Sequence, residues 1–243
     1  NGAVTQDSYN ADGQQTAIAD ADGNVTSYRT DAAGNVVATV DALGQATLSV
    51  YDKDNRLVSA TDRDGRQRAF TYDSDGRVLT ETWYNANGTV ADTLSYTYDP
   101  DGNVLTAANG YGTYRYSYDD AGRVLTQTDP FGLTLTYGYD HDGNVTSVRD
   151  SLGGVLTSVY DNDGRLTSRQ LGGTVAAPVR FDLTYTPEGQ LATVTRYRDL
   201  AGTQVAGTSV LSYDSGGNLL HIQHKNAAGG VLAFGAARDR PAA

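Results

Sequence analysis

The hexapeptide Tyr72-Asp73-Ser74-Asp75-Gly76-Arg77 decides the fold, because close copies of it recur along the chain. The shared pattern is Y-D-x-x-G-R, and asparagine replaces the final arginine in some copies. Copies begin at Tyr51, Tyr72, Tyr98, Tyr118, Tyr139, Tyr160 and Tyr213, with weaker ones at Tyr9-Asn10, Thr30-Asp31 and Tyr185-Thr186. The predicted structural motif residues are Tyr51, Asp52, Tyr72, Asp73, Gly76, Arg77, Tyr98, Asp99, Gly102, Tyr118, Asp119, Gly122, Arg123, Tyr139, Asp140, Gly143, Tyr160, Asp161, Gly164, Arg165, Tyr213, Asp214 and Gly217.

The spacing of these copies indicates a repeat of about 21 residues, since successive copies are 21, 21, 21, 26, 20, 21, 21, 25 and 28 residues apart. A fixed period of this length is typical of repeat proteins. A second turn follows half a period later, at 20–23, 41–44, 62–65, 129–132 and 150–153, and the longer steps are insertions at this turn, at 85–88, 172–178 and 201–204. Each repeat is therefore predicted to be strand, turn, strand, turn.

The residues of the repeat favour β-hairpins. The first aspartate of a turn can accept hydrogen bonds from nearby backbone amides, and the fourth-place glycine can adopt the left-handed conformation of a type I turn with a bulge. Segments between turns, such as Leu133–Tyr139, are rich in β-branched and aromatic residues that alternate with period two. We predict an all-β fold of about ten tandem β-hairpins (1–225), followed by a short C-terminal extension (226–243). The hairpins should form one continuous antiparallel sheet, and the twist of its strands should curve the sheet into a spiral, shell or tube.

Composition restricts the partners. The net charge of −11 repels phosphate backbones and anionic lipid, so neither nucleic acid nor membrane insertion is expected. The chain has 17 tyrosines but 4 phenylalanines, 1 tryptophan and no methionine, which suits a thin, half-solvated layer better than a deep core. It has no cysteine for disulfides or thiolate ligands, and the residues Asn1–Thr5 do not resemble a signal peptide.

From about Tyr9 to Asn218, the recurring Y-D-x-x-G-R and T-D-x-x-G turns resemble the RHS/YD-repeat family, which includes bacterial rearrangement-hotspot proteins, toxin-complex shells and teneurins. The resemblance implies a spiralling β-shell that encloses a C-terminal toxin, or a cell-surface scaffold. The family's autoproteolytic core, with its D-P-x-G-x-D motif, is absent. Asp129-Pro130-Phe131-Gly132-Leu133 resembles part of it but lies between ordinary repeats and is interpreted as a repeat turn.

The sequence gives little evidence for a catalytic site or a metal site. The Asp-x-Asp-Gly turns at 20–23, 62–65, 73–76, 140–143 and 161–164 resemble calcium loops but lack a third acidic ligand and the bidentate glutamate. We therefore predict plain turn chemistry and no cofactor, with calcium at these turns as the alternative. His221 and His224 lie three apart in a predicted strand and should face opposite sides. No catalytic triad or phosphate-binding loop is evident, so no enzyme activity is predicted.

The motif arginines and tyrosines are predicted to be structural. Arg56, Arg77, Arg123 and Arg165 should stack on tyrosines and pair with aspartates of neighbouring repeats, which would join successive hairpins. The tyrosines in register should form a ladder across the sheet. The alternatives are an arginine row for acidic ligands and an aromatic row for sugars.

The sequence predicts a non-catalytic, structural segment of a secreted or cell-surface RHS-type β-shell that encloses or displays cargo. Its partners would be neighbouring repeats, further copies of itself, an enclosed toxin or surface glycans. Two alternatives remain open at this point. One is a self-assembling extracellular fibre that grows by end-to-end sheet extension, and the other is an adhesive, carbohydrate-binding surface.

Overall fold

The computed structural model describes residues 4–174 and 177–236. Residues 175–176 of the predicted insertion and residues 237–243 of the predicted C-terminal extension lie outside the described part. The described strands are Gln6–Tyr9 (β1), Gln15–Ala19 (β2), Val25–Thr30 (β3), Val36–Val40 (β4), Ala46–Tyr51 (β5), Leu57–Thr61 (β6), Gln67–Tyr72 (β7), Val78–Tyr84 (β8), Val90–Tyr98 (β9), Val104–Asn109 (β10), Gly112–Tyr118 (β11), Val124–Thr128 (β12), Thr134–Tyr139 (β13), Val145–Asp150 (β14), Gly154–Tyr160 (β15), Leu166–Gly173 (β16), Val179–Tyr185 (β17), Leu191–Tyr197 (β18), Val205–Tyr213 (β19), Leu219–Asn226 (β20) and Val231–Ala236 (β21).

The chain divides into two compact units, the first ending at Arg115 and the second beginning at Tyr116. In the first unit, each strand from β1 to β10 pairs antiparallel with the next strand along the chain. In the second unit, the strands from β12 to β21 pair in the same way. Both units are therefore antiparallel sheets of consecutive hairpins, which confirms the predicted all-β hairpin-repeat fold.

The turn at Asp73–Arg77 has the predicted type I geometry with a bulge. The amide of Gly76 donates to the carbonyl of Asp73 at 3.1 Å, and the amide of Asp73 donates to the carbonyl of Arg77 at 2.9 Å. Gly76 has φ of +82°, in the left-handed region where a side chain costs about 1–2 kcal/mol. The pairing shifts by one residue between Thr71 and Tyr72, so the tyrosine lies at the bulge.

The described residues contain no buried apolar side chain, so neither unit has a conventional hydrophobic core. The residues buried beyond nine-tenths are the serines Ser158, Ser168 and Ser209 and a few glycines of the second unit. Each sheet must therefore be stabilised by its hydrogen-bond ladders and by contacts between neighbouring hairpins. The described residues include no helix that could cross a membrane.

The two faces of the sheet carry different chemistry, because alternate residues of a strand point to opposite faces. In the β7–β8 hairpin, Phe70, Tyr72 and Trp83 share one face by register. The hydroxyls of Thr71 and Thr80 lie on the other face, 2.6 Å apart. In the second unit, the hydroxyls of Ser117 and Thr126 form a similar pair, also at 2.6 Å. In the β7–β8 hairpin, one face thus carries the aromatic rings and the other carries the paired threonine hydroxyls.

Candidate functional site: clamps between neighbouring repeats

Each Y-D turn is organised by its aspartate carboxylate. In the turn that begins at Asp119, carboxylate oxygen Oδ1 accepts hydrogen bonds from the amides of Ala121 at 3.0 Å and Arg123 at 2.9 Å. The other oxygen, Oδ2, accepts from Nε of Arg123 at 2.7 Å. The same pairing joins Asp52 to Arg56, Asp73 to Arg77 and Asp161 to Arg165. The aspartate therefore fixes both the turn and the direction of the arginine.

The arginine of one turn reaches the tyrosine of the next. The guanidinium of Arg123 lies 4.5 Å from the ring centroid of Tyr139, and its Nη1 donates to the carbonyl of Asp140 at 3.3 Å. Equivalent stacks join Arg56 to Tyr72 at 5.0 Å, Arg77 to Tyr98 at 4.9 Å and Arg165 to Tyr185 at 5.0 Å. The stacking on the neighbouring tyrosine is as predicted, but the predicted pairing with aspartates of neighbouring repeats is wrong, because each arginine pairs with the aspartate of its own turn. We call each such aspartate, arginine and following tyrosine a clamp.

The tyrosine completes the clamp through its hydroxyl. Tyr139 donates to the carbonyl of Val124, in the preceding repeat, at 2.8 Å. The same bond joins Tyr72 to Leu57, Tyr98 to Val78, Tyr160 to Val145, Tyr185 to Leu166 and Tyr213 to Leu191, at 2.6 to 3.1 Å. Sequence reasoning missed this bond, although the tyrosine's constant place at the end of a strand is the signal that could have suggested it.

Motif copies that end in asparagine hold the aspartate without supplying a cation. Asn103, Asn144 and Asn218 each donate Nδ2 to the carboxylate of their turn, at 2.9 to 3.0 Å. The remaining predicted motif residues take their repeat positions, since Tyr51 and Tyr118 end strands and Gly102, Gly122, Gly143, Gly164 and Gly217 all have positive φ. In the Tyr51 copy, Asn55 takes the glycine place with φ of 61°.

The acidic turns show no converging metal ligands. Among residues 4–174 and 177–236, no three histidine, aspartate or glutamate side chains are placed to hold a metal ion. The first carboxylates, such as Asp73 and Asp161, are already engaged by backbone amides and by arginine. Of the histidines, His224 bonds through Nδ1 to Ser209 at 2.8 Å, while His221 lies opposite Ser212. The absence of a cofactor stays a prediction.

The clamps hold their carboxylates in the ionised form. At Asp119, the backbone amide of Arg123 lowers the pKa, partial burial opposes this effect, and the guanidinium adds to it. The pKa values of Asp52 and Asp161 are lowered by the same causes. At Asp140, the side-chain amide of Asn144 is the largest cause of the lowered pKa. The turns thus favour the folded state while their aspartates are charged.

We expect the protein to lose stability in acid. A carboxylate whose pKa in the folded state is below its unfolded value of about 3.9 makes its full contribution to the free energy of unfolding at pH values above the unfolded pKa. This contribution is lost as the pH falls through the folded pKa. The urea concentration at the midpoint of unfolding should therefore decrease as the pH is lowered from 5 to 3. Asp119→Asn should show a smaller pH dependence than the parent protein, because it removes a carboxylate whose pKa is lowered in the folded state. Equal slopes for the variant and the parent would contradict the assignment.

The fold and the clamps define the class of the chain, which is a tandem β-hairpin repeat protein whose turns bind the next repeat. The model of the RHS Repeat family matches residues 9–46, 51–82, 118–155 and 139–176, which together are more than half of the chain. The chain belongs to the RHS repeat family. No curated protein matches the sequence.

Solved structures with the same fold are toxin-complex proteins. The crystal structure of TcdB2-TccC3 matches with a TM-score of 0.59 at 16% identity, over 92% of this chain and 14% of that one. The Photorhabdus luminescens Tc holotoxin pore matches with a TM-score of 0.52 at 13% identity, over 96% of this chain and 18% of that one. The chain therefore spans about 14% to 18% of the length of these proteins. At this identity, the likeness shows the fold alone.

Proposed function

We propose that the chain is a non-catalytic wall segment of a secreted or cell-surface shell that encloses cargo. The observation that carries this proposal is a sheet with no buried apolar core among its described residues, whose successive repeats are joined by tyrosine hydroxyl bonds and, at four places, by complete clamps. Such a sheet suits a wall, because its stability comes from within the layer and leaves both faces available. The fold of the TcdB2-TccC3 structures supports the same role.

The cargo would be a polypeptide toxin held against one face of the sheet. Support comes from apolar side chains that the fold leaves exposed, such as Val50 in the first unit and Val159 in the second, with 54% exposure each. Apolar groups at this exposure gain free energy when another surface covers them. The clamps lie at the turns, so the faces between the turns stay free for contacts with cargo.

The test looks for an enclosed space in the purified protein. Electron microscopy of the purified protein should show closed, hollow particles, and protease should leave an internal segment intact until urea or acid opens the wall. Filaments that lengthen with protein concentration would instead support end-to-end sheet extension. Particles without a lumen whose segments are all cleaved at the same rate would contradict enclosure.

A further inference from the structure

One turn of the second unit lacks both polar partners of the clamp. In the turn that begins at Thr186, threonine takes the place of the aspartate, and Gln190 takes the place of the arginine. The amide of Gln190 donates to the Thr186 hydroxyl at 3.3 Å, and its Nε2 donates to the carbonyl of Gly217, in the next Y-D turn, at 3.0 Å. This repeat therefore keeps a contact with the next turn but supplies no positive charge.

The next tyrosine is nevertheless held as in a complete clamp. The hydroxyl of Tyr213 donates to the carbonyl of Leu191 at 2.8 Å, as Tyr139 does to Val124. Over Tyr139 and Tyr185 the chain places its own guanidinium, but the described residues place none over Tyr213. A solvent-open cavity of about 500 Å³ lies between the two turns, lined by Thr186, Glu188, Gln190, Tyr213, Asp214 and Ser215 among others.

The lining of this cavity carries two carboxylates and no basic group. Asp214 accepts hydrogen bonds from the amides of Gly216 and Asn218 and from Nδ2 of Asn218, and these bonds keep its pKa low. Glu188 is exposed and has no hydrogen bond or ion pair with any residue that the structure describes. The cavity is thus negatively charged and has an aromatic ring in its wall.

A second tyrosine that follows a turn without arginine shows why this place is different. Tyr160 also follows a turn without arginine, since Asn144 stands at that position. Its own turn, however, ends in Arg165, which pairs with Asp161 and Asp163 at 2.8 and 2.9 Å. At Tyr213, the preceding turn ends in Gln190 and its own turn ends in Asn218, so neither turn supplies a cation.

We propose that this cavity binds the guanidinium group of an arginine on a partner polypeptide, which stacks on the Tyr213 ring as Arg123 and Arg165 stack on the tyrosines of other repeats, while Gln190 keeps its contact with Gly217. A planar guanidinium can stack on the Tyr213 ring while it donates to a carboxylate and to a backbone carbonyl at once. A lysine ammonium has a similar charge but lacks this flat, forked arrangement of donors. The site would allow an arginine-bearing segment to dock on the turn edge of the sheet.

The test is a nuclear magnetic resonance titration with Nα-acetyl-L-arginine methylamide, whose only charge is the guanidinium. The resonances of Gly217 and Tyr213 should shift saturably, with a dissociation constant on the order of millimolar. The matching lysine compound should bind at least several-fold more weakly. Gln190→Arg should abolish binding because it supplies the guanidinium from within the chain, and this variant should fold like the other clamped repeats.

Two further variants keep the test decisive. Glu188→Gln, at an exposed and unpaired side chain, should weaken binding about threefold, the size expected for one exposed ion pair. Arg123→Gln should create a second site at Tyr139, so that resonances of the Asp140 turn also respond. Undiminished binding by Gln190→Arg, equal binding of the lysine compound or a linear response without saturation would each overturn the proposal. Tighter binding of free L-arginine than of the capped compound would overturn the polypeptide source.

Discussion

Tyr139→Ala is expected to lower the free energy of unfolding by about 2–3 kcal/mol, below the 3–5 kcal/mol of a fully buried aromatic residue because this ring is half-buried. The substitution removes the ring on which Arg123 stacks and the hydroxyl that bonds to the carbonyl of Val124. It also leaves that carbonyl without its donor. Since the described sheet has no apolar core to compensate, the loss falls directly on the contact between two hairpins.

Urea unfolding followed by circular dichroism would measure this effect. Tyr139→Phe keeps the ring and loses the hydroxyl bond, so it should cost about 1 kcal/mol. The matched control is Tyr111→Ala, at a turn tyrosine that is 87% exposed, which should change stability by less than about 0.5 kcal/mol. A similar loss at Tyr111 and Tyr139 would show that the clamp adds nothing beyond an ordinary aromatic side chain.

Gly173→Ala is expected to have the largest effect, a loss of about 3–4 kcal/mol. Gly173 lies opposite Gly154 at the end of the β15–β16 pair and has φ of +108°. A Cβ atom there would overlap the carbonyl oxygen of Gly153, which is backbone and has little room to move. Overpacking of this kind costs about 1–3 kcal/mol, and the positive φ adds about 1–2 kcal/mol.

Gly143→Ala separates the two causes, because Gly143 also has positive φ, +88°, but a Cβ atom would meet no atom within 4 Å. We expect this control to lose about 1–2 kcal/mol from the backbone conformation alone. Thermal and urea unfolding of both variants would give the comparison. Equal losses of stability in the two variants would mean that the end of the β15–β16 pair accommodates the added methyl group without cost, which would contradict the expectation from its geometry.

The sequence predicts the local structure of this chain well because each turn is determined by its own residues. The aspartate at the first place and the glycine at the fourth place of Asp119–Arg123 make the turn, and both were evident from the repeat. The stack of Arg123 on Tyr139 could also be predicted, since the two side chains recur at a constant separation and have complementary chemistry.

Features that depend on register between strands could not be predicted in the same way. The hydroxyl bond from Tyr139 crosses to the carbonyl of Val124 at the start of β12, and the sequence does not show which carbonyl of the neighbouring strand lies within reach of the hydroxyl. The cavity at Tyr213 was hidden for a related reason. Tyr185-Thr186 is recognisable in the sequence as a weak copy of the motif. Only the structure shows that Gln190 contacts Gly217 and that a cavity lies beside Tyr213.

Each clamp joins a repeat to the one that follows it, and this local linkage limits how such chains can change length. Loss or duplication of a whole 21-residue unit would place the turn at the junction against an equivalent position of another repeat and leave the other clamps unchanged, so nearest-neighbour stability would be retained. A change by a fraction of a unit would separate the pair at the junction. Recombination between repeated gene segments should therefore be tolerated in whole steps, so the number of repeats can vary while the contacts between neighbours are retained.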